Sequence, residues 1–143
     1  MQEWSVKLRG SHSDYQEIKL RRELPDDPNY TVVIVDIEKF MRMNQNEQEC
    51  YIIPPPPSWE PGREEGLKEF LNSSSGVPNM PQVDFYLNTV KKYFGLFGEK
   101  TVGVASFING RHRTAYMHYH GAKYLPVEVH VDSANLLKEY CGV

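Results

Sequence analysis

The stretch from Thr101 to Val131 leaves the chain little freedom of fold. Thr101 to Ile108 is an apolar run rich in β-branched residues and suits a strand. Asn109-Gly110 is a turn dipeptide. The residues that follow must start a helix at once, because Gly121 ends it. Leu125, Val127, Val129 and Val131 then recur at period two, which predicts a second strand over residues 124–131. The expected unit is strand, sharp corner, short helix, strand.

The corner breaks a local rule. The first N–H groups of a helix lack intrahelical partners and the helix dipole is positive at that end, so most sequences place Asp or Glu there. Here Arg111, His112 and Arg113 stand in that place, a mismatch of roughly 0.3–1 kcal/mol per charge unless an anion compensates. Two guanidiniums beside free backbone N–H groups suit phosphate oxygens better than a lone carboxylate. Asn109, Gly110, Arg111, His112, Arg113 and Thr114 are therefore the candidate phosphate cradle, and Arg113 and His112 the candidates for a catalytic role. The competing reading pairs Arg111 and Arg113 with internal carboxylates such as Asp36, Glu64 or Glu128.

The remaining chain has the pattern of one α+β domain over residues 1–143. Trp4, Val6 and Leu8 alternate in a strand, and Thr31 to Val35 is β-branched enough to be a central one. Asp36 sits where an N-cap belongs, before Ile37, Phe40 and Met41, with the helix ending near Asn44. Ser13 and Gln16 have capping-box form ahead of Ile18-Lys19-Leu20. Residues 44–62 are polar and then proline-rich, Pro54 to Pro57 with Trp59 and Pro61, and form a long loop. Residues 63–71 can form a helix, Val83, Phe85 and Leu87 a strand, and Asp132 or Ser133 is placed to cap a last helix ending at Gly142.

Other chemistry is poorly supplied. Sixteen Lys plus Arg against nineteen Asp plus Glu give a net charge of −3, so any polyanion needs a local patch. Cys50 and Cys141 have no ligand spacing, and His118 and His120 point about 200° apart on a helix, so no metal site is expected. Gly95 to Thr101 only hints at a P-loop, since Glu99 would face the phosphates. Carboxylates gathered by folding would come from Asp36, Asp84 and Glu128. Tyr116, Tyr119 and Tyr124 lie close to the arginines, but packing is their expected role. Without a long apolar run the chain reads as cytoplasmic.

Phe107-Ile108-Asn109-Gly110-Arg111-His112-Arg113-Thr114-Ala115, followed by Gly121 and Leu125-Pro126-Val127-Glu128-Val129, resembles the signature of the ParB/sulfiredoxin-like superfamily. Asn-Gly-Arg-His-Arg-Thr with the upstream Met80-Pro81-Gln82-Val83 more specifically resembles bacterial plasmid fertility inhibition factors. The resemblance implies a small mixed sheet with helices around it, and a corner that holds the phosphates of ATP or another nucleotide, with or without Mg2+. Gly110 and Arg113 fall on the superfamily's glycine and phosphate-binding arginine. Arg111 stands where sulfiredoxin carries its cysteine, which argues against sulfinic-acid reduction. The resemblance further implies a restraint on conjugative or type IV secretion DNA transfer, DNA or a secretion component as partner, and ATPase or DNase activity. The alternative is a non-catalytic module acting through the Pro-rich loop.

Overall fold

The computed structural model describes residues 2–9, 17–47, 54, 56–71, 76–91 and 98–143. Alternation builds the first two strands: Val6 faces inward from β1 (Trp4–Lys7), with Leu8 buried just beyond its end, and Ile18 and Leu20 face inward from β2 (Glu17–Leu20). The two pair antiparallel, Trp4 opposite Leu20 and Lys7 opposite Glu17. Ile18 to Leu20 is thus strand, where capping-box form pointed to a helix start. Pairing with β1 buries the period-two pair Ile18 and Leu20, and that burial overrides the local signal. Ser13 and Gln16 themselves lie outside the described residues.

β3 (Tyr30–Asp36) runs directly into α1 (Ile37–Asn44). The Asp36 carboxylate accepts from the Lys39 N–H at 3.1 Å and caps the helix, as its position predicts. Ile37 and Phe40 pack fully buried. A 3-10 turn, Pro56–Ser58, lies in the proline loop, and α2 (Arg63–Leu71) follows. β4 (Gln82–Lys91) and β5 (Glu99–Phe107) form a long antiparallel pair, α3 (Arg111–Tyr119) follows the corner, and β6 (Tyr124–His130) leads into α4 (Val131–Cys141).

These four later strands make one mixed sheet in the order β3-β6-β4-β5, with β6 and β4 parallel and the other pairs antiparallel. β6 is central, and five successive residues of it are buried. β3, expected to be central, is an edge strand. Its β-branched run is instead covered by α4, and Gly142 bridges to Val35 on the open side. The cap of α4 also differs from expectation. His130 occupies the N-cap and its Nδ1 accepts from the Asp132 N–H at 3.1 Å, because β6 hands over to α4 two residues before Asp132, the earlier of the two expected caps.

One apolar core joins both sheets and the helices, with Phe40, Phe85, Tyr116, Met117 and Leu137 fully enclosed. Tyr116 therefore packs, whereas Tyr119 and Tyr124 remain exposed. Burial pushes the Cys141 thiol up to about 11, so it stays protonated and inert. Cys50 lies outside the described residues, as does the 95–97 part of the P-loop-like stretch. The architecture is α+β, as expected.

Candidate functional site: the corner at Asn109 to Thr114

The corner is built by β5, by the start of β4 and by the segment after β2. Parallel register sets Gln82 beside Glu128, and the Gln82 carbonyl accepts from the N–H groups of both Ile108 and Asn109 (2.9 and 3.2 Å). The Asn109 side chain closes the other half of this exchange. Its Oδ1 accepts from Gln82 N (2.9 Å) and Arg113 Nη2 (3.3 Å), and its Nδ2 donates to Gln82 Oε1 (2.9 Å) and Glu23 Oε2 (3.1 Å). An asparagine side chain offers two donors and two acceptor positions, and all four are in use. Asn109 is a latch.

Gly110 has φ of 83°, and a Cβ there would lie 2.8 Å from Pro81 Cβ and 2.9 Å from its Cα. Backbone sign and contact both demand glycine at this turn. Thr114 is wholly buried and donates to the Gly110 carbonyl at 2.9 Å, tightening the first turn of α3. Arg113 turns inward. Its Nη1 donates to the Asn79 carbonyl at 2.6 Å, and burial lowers its proton affinity while the Glu23 carboxylate works in the opposite sense. The guanidinium remains charged and ties α3 to the segment before β4.

Arg111 and His112 diverge, as successive helical residues about 100° apart must. Arg111 lies over the Phe107 ring (5.7 Å to its centroid) with Glu47 at 3.8 Å. His112 meets the Trp59 ring edge to face at 5.4 Å, beside a cavity it shares with Arg63. No side chain caps α3 among the described residues, and its first turn carries no acid. His112 is held below its ordinary proton affinity, first by burial and then by the Arg63 and Arg111 guanidiniums. A histidine so depressed binds fewer protons than it does in the unfolded chain. The associated stability is full above pH about 6.5 and falls as pH drops through the interval between that value and the depressed one.

The six predicted site residues thus do two jobs. Asn109, Gly110, Arg113 and Thr114 form the corner itself, while Arg111 and His112 are presented outward from its two sides. The carboxylates that folding was expected to gather go separate ways: Asp36 caps α1, Asp84 accepts from Phe85 N and Ser133 Oγ, and the fully buried Glu128 takes Arg22 Nε at 2.9 Å. Among the described residues no three His, Cys, Asp or Glu side chains gather as a metal-binding group. Sequence reasoning missed Arg63 and Gln82. Arg63 had a visible signal, since it too is a cation heading a predicted helix.

The family model described as plasmid fertility inhibition factor matches residues 32–142, from within β3 to the end of α4, and so takes in the whole corner. The chain belongs to the plasmid fertility inhibition factor family. Among solved structures it is similar to the crystal structure of Oncogenic Suppression Activity Protein, described as a plasmid fertility inhibition factor, with a TM-score of 0.64 at 14% identity. That likeness covers 99% of this chain and 69% of the other, so the fold shared with this family member includes β1 and β2, which precede the family match. No curated protein matches significantly in sequence. Among the described residues no helix is long and apolar enough to cross a membrane.

Proposed function

We propose that this fertility inhibition factor binds a nucleotide through its phosphates at the Asn109–Thr114 corner, in the manner of a ParB/sulfiredoxin-like fold, and so restrains DNA transfer by conjugation or type IV secretion. The observation that carries the reading is the uncapped start of α3, where Arg111 and His112 stand without an acid in the turn and His112 is held below its ordinary proton affinity first by burial and then by the Arg63 and Arg111 guanidiniums. An anion at that point offsets both the dipole and the cations. Binding is better supported than turnover, because Arg113 is engaged with protein acceptors and the candidate carboxylates have separate structural partners.

His112→Glu separates ligand binding from structure. A carboxylate in the first turn favours the helix by about 0.3–1 kcal/mol, so the variant is expected to fold with equal or greater stability. The same charge repels phosphate, and calorimetric titration of ATP, with and without Mg2+, is expected to show at least a tenfold loss of affinity. Restraint of plasmid transfer by donor cells expressing the variant should be lost in parallel. Unchanged ATP affinity in His112→Glu contradicts the assignment.

The Pro-rich loop supports a second reading, in which the protein acts by contact with a transfer component. Trp59 Nε1 donates to the Pro54 carbonyl at 2.8 Å and its ring touches His112, so loop and corner form one surface. A partner seated on the exposed Pro54 and Pro57 would sense whatever occupies the corner.

A further inference from the structure

A cavity of about 230 Å³ opens beside α3, with Pro54, Ser58, Trp59, Glu60 and Arg63 on one side and His112 on the other. We propose that this cavity receives a single nucleoside phosphate, its base against the Trp59 indole and its phosphate between Arg63 and His112. The proposal rests on the nucleotide reading above and assigns that ligand two residues from outside the corner, Trp59 and Arg63.

Three features of the lining select this chemistry. The indole N–H is spent on Pro54, which fixes the ring, and the ring is only part-buried where it lines the cavity. Stacking of a base on an aromatic side chain is worth about 1–3 kcal/mol, a gain that bare phosphate cannot collect. Arg63 is exposed, and among the described residues it has no carboxylate at ion-pair distance, unlike Arg111 with Glu47. It and His112 come from the first turns of two different helices and face the same space. The volume falls below the roughly 300–1,000 Å³ typical of sites that enclose drug-sized ligands, so the cavity holds part of one nucleotide and leaves the rest in solvent. Glu60, the carboxylate in the lining, suits the hydroxyl donors of a ribose.

Trp59 supplies the readout. In a Trp4→Phe background, its fluorescence is expected to change saturably with AMP and ATP, and inorganic phosphate should bind at least tenfold more weakly than AMP. Arg63→Ala is expected to lower ATP affinity at least tenfold by calorimetry, with thermal unfolding unchanged because the side chain is exposed. ATP affinity equal in wild type and Arg63→Ala overturns the cavity assignment; if His112→Glu still loses binding in that case, the corner reading stands alone. Phosphate binding as tightly as AMP removes the aromatic wall from the site and overturns the proposal. Absence of any ATP binding by wild type overturns both readings.

Discussion

Arg22→Ala is expected to destabilise the protein by about 3–5 kcal/mol, the usual consequence of stranding one member of a buried ion pair. Glu128 is wholly enclosed on the central strand β6, and its carboxylate accepts from Arg22 Nε (2.9 Å), Gln82 Nε2 (3.2 Å) and Leu24 N (3.3 Å to the nearer oxygen). Arg22 also donates to the Tyr30 carbonyl at 2.7 Å. Removing the guanidinium leaves the charge with two neutral donors in a site of low dielectric. Adding Glu128→Gln to Arg22→Ala should recover part of the loss, since a neutral amide no longer needs a counter-charge; urea unfolding of both singles and the double variant measures that coupling. A loss below about 1 kcal/mol for Arg22→Ala would mean that the pair is not what holds the β2 segment to the sheet. The result matters for the site, because Gln82 links Glu128 to the Asn109 latch.

Gly110→Ala is the second large effect. A left-handed backbone costs an L-residue about 1–2 kcal/mol, and the new methyl would meet Pro81 Cβ and Cα at 2.8 and 2.9 Å, with Arg113 Nη2 at 3.0 Å. Overpacking of this kind adds about 1–3 kcal/mol. Gly62 is the internal control, with φ of 87° and no atom within 4 Å of a built Cβ. Gly62→Ala is therefore expected to show backbone strain alone, on the order of 1–2 kcal/mol, and Gly110→Ala to exceed it clearly in urea or thermal unfolding. Equal losses at the two positions would show that the Pro81 approach does not constrain the corner.

Much of this architecture is legible from local pattern. The Thr101–Val131 segment, the Asp36 cap and the Gly142 stop each encode their structure in a few neighbouring residues, and period and capping chemistry suffice to read them. What local pattern could not supply is what distant segments add. β3 looks central from its β-branched run, yet an edge strand covered by a helix has the same composition. Ile18 to Leu20 carries a helix-start signal that pairing with β1 overrides. At the corner, charge and spacing single out the candidate residues but could not say which way each side chain turns. Arg113, the residue that matches the superfamily's phosphate-binding arginine, is engaged by Asn79 and Asn109. His112 gains its neighbours Trp59 and Arg63 from a loop and a helix some fifty residues earlier. Glu23 and Glu47, which flank the corner, belong to segments with no motif at all.

The most direct test of an anion at the corner is the NMR titration of the His112 imidazole, in the free protein and at saturating ATP. Burial depresses its proton affinity most and the Arg63 and Arg111 guanidiniums depress it further, while Glu60 in the shared cavity lining carries the opposite charge. A phosphate beside the ring reverses the electrostatic part. Free protein is expected to show His112 titrating below the ordinary histidine value, and ATP to move that titration upward. A His112 titration that saturating ATP leaves unmoved would contradict phosphate binding at this corner.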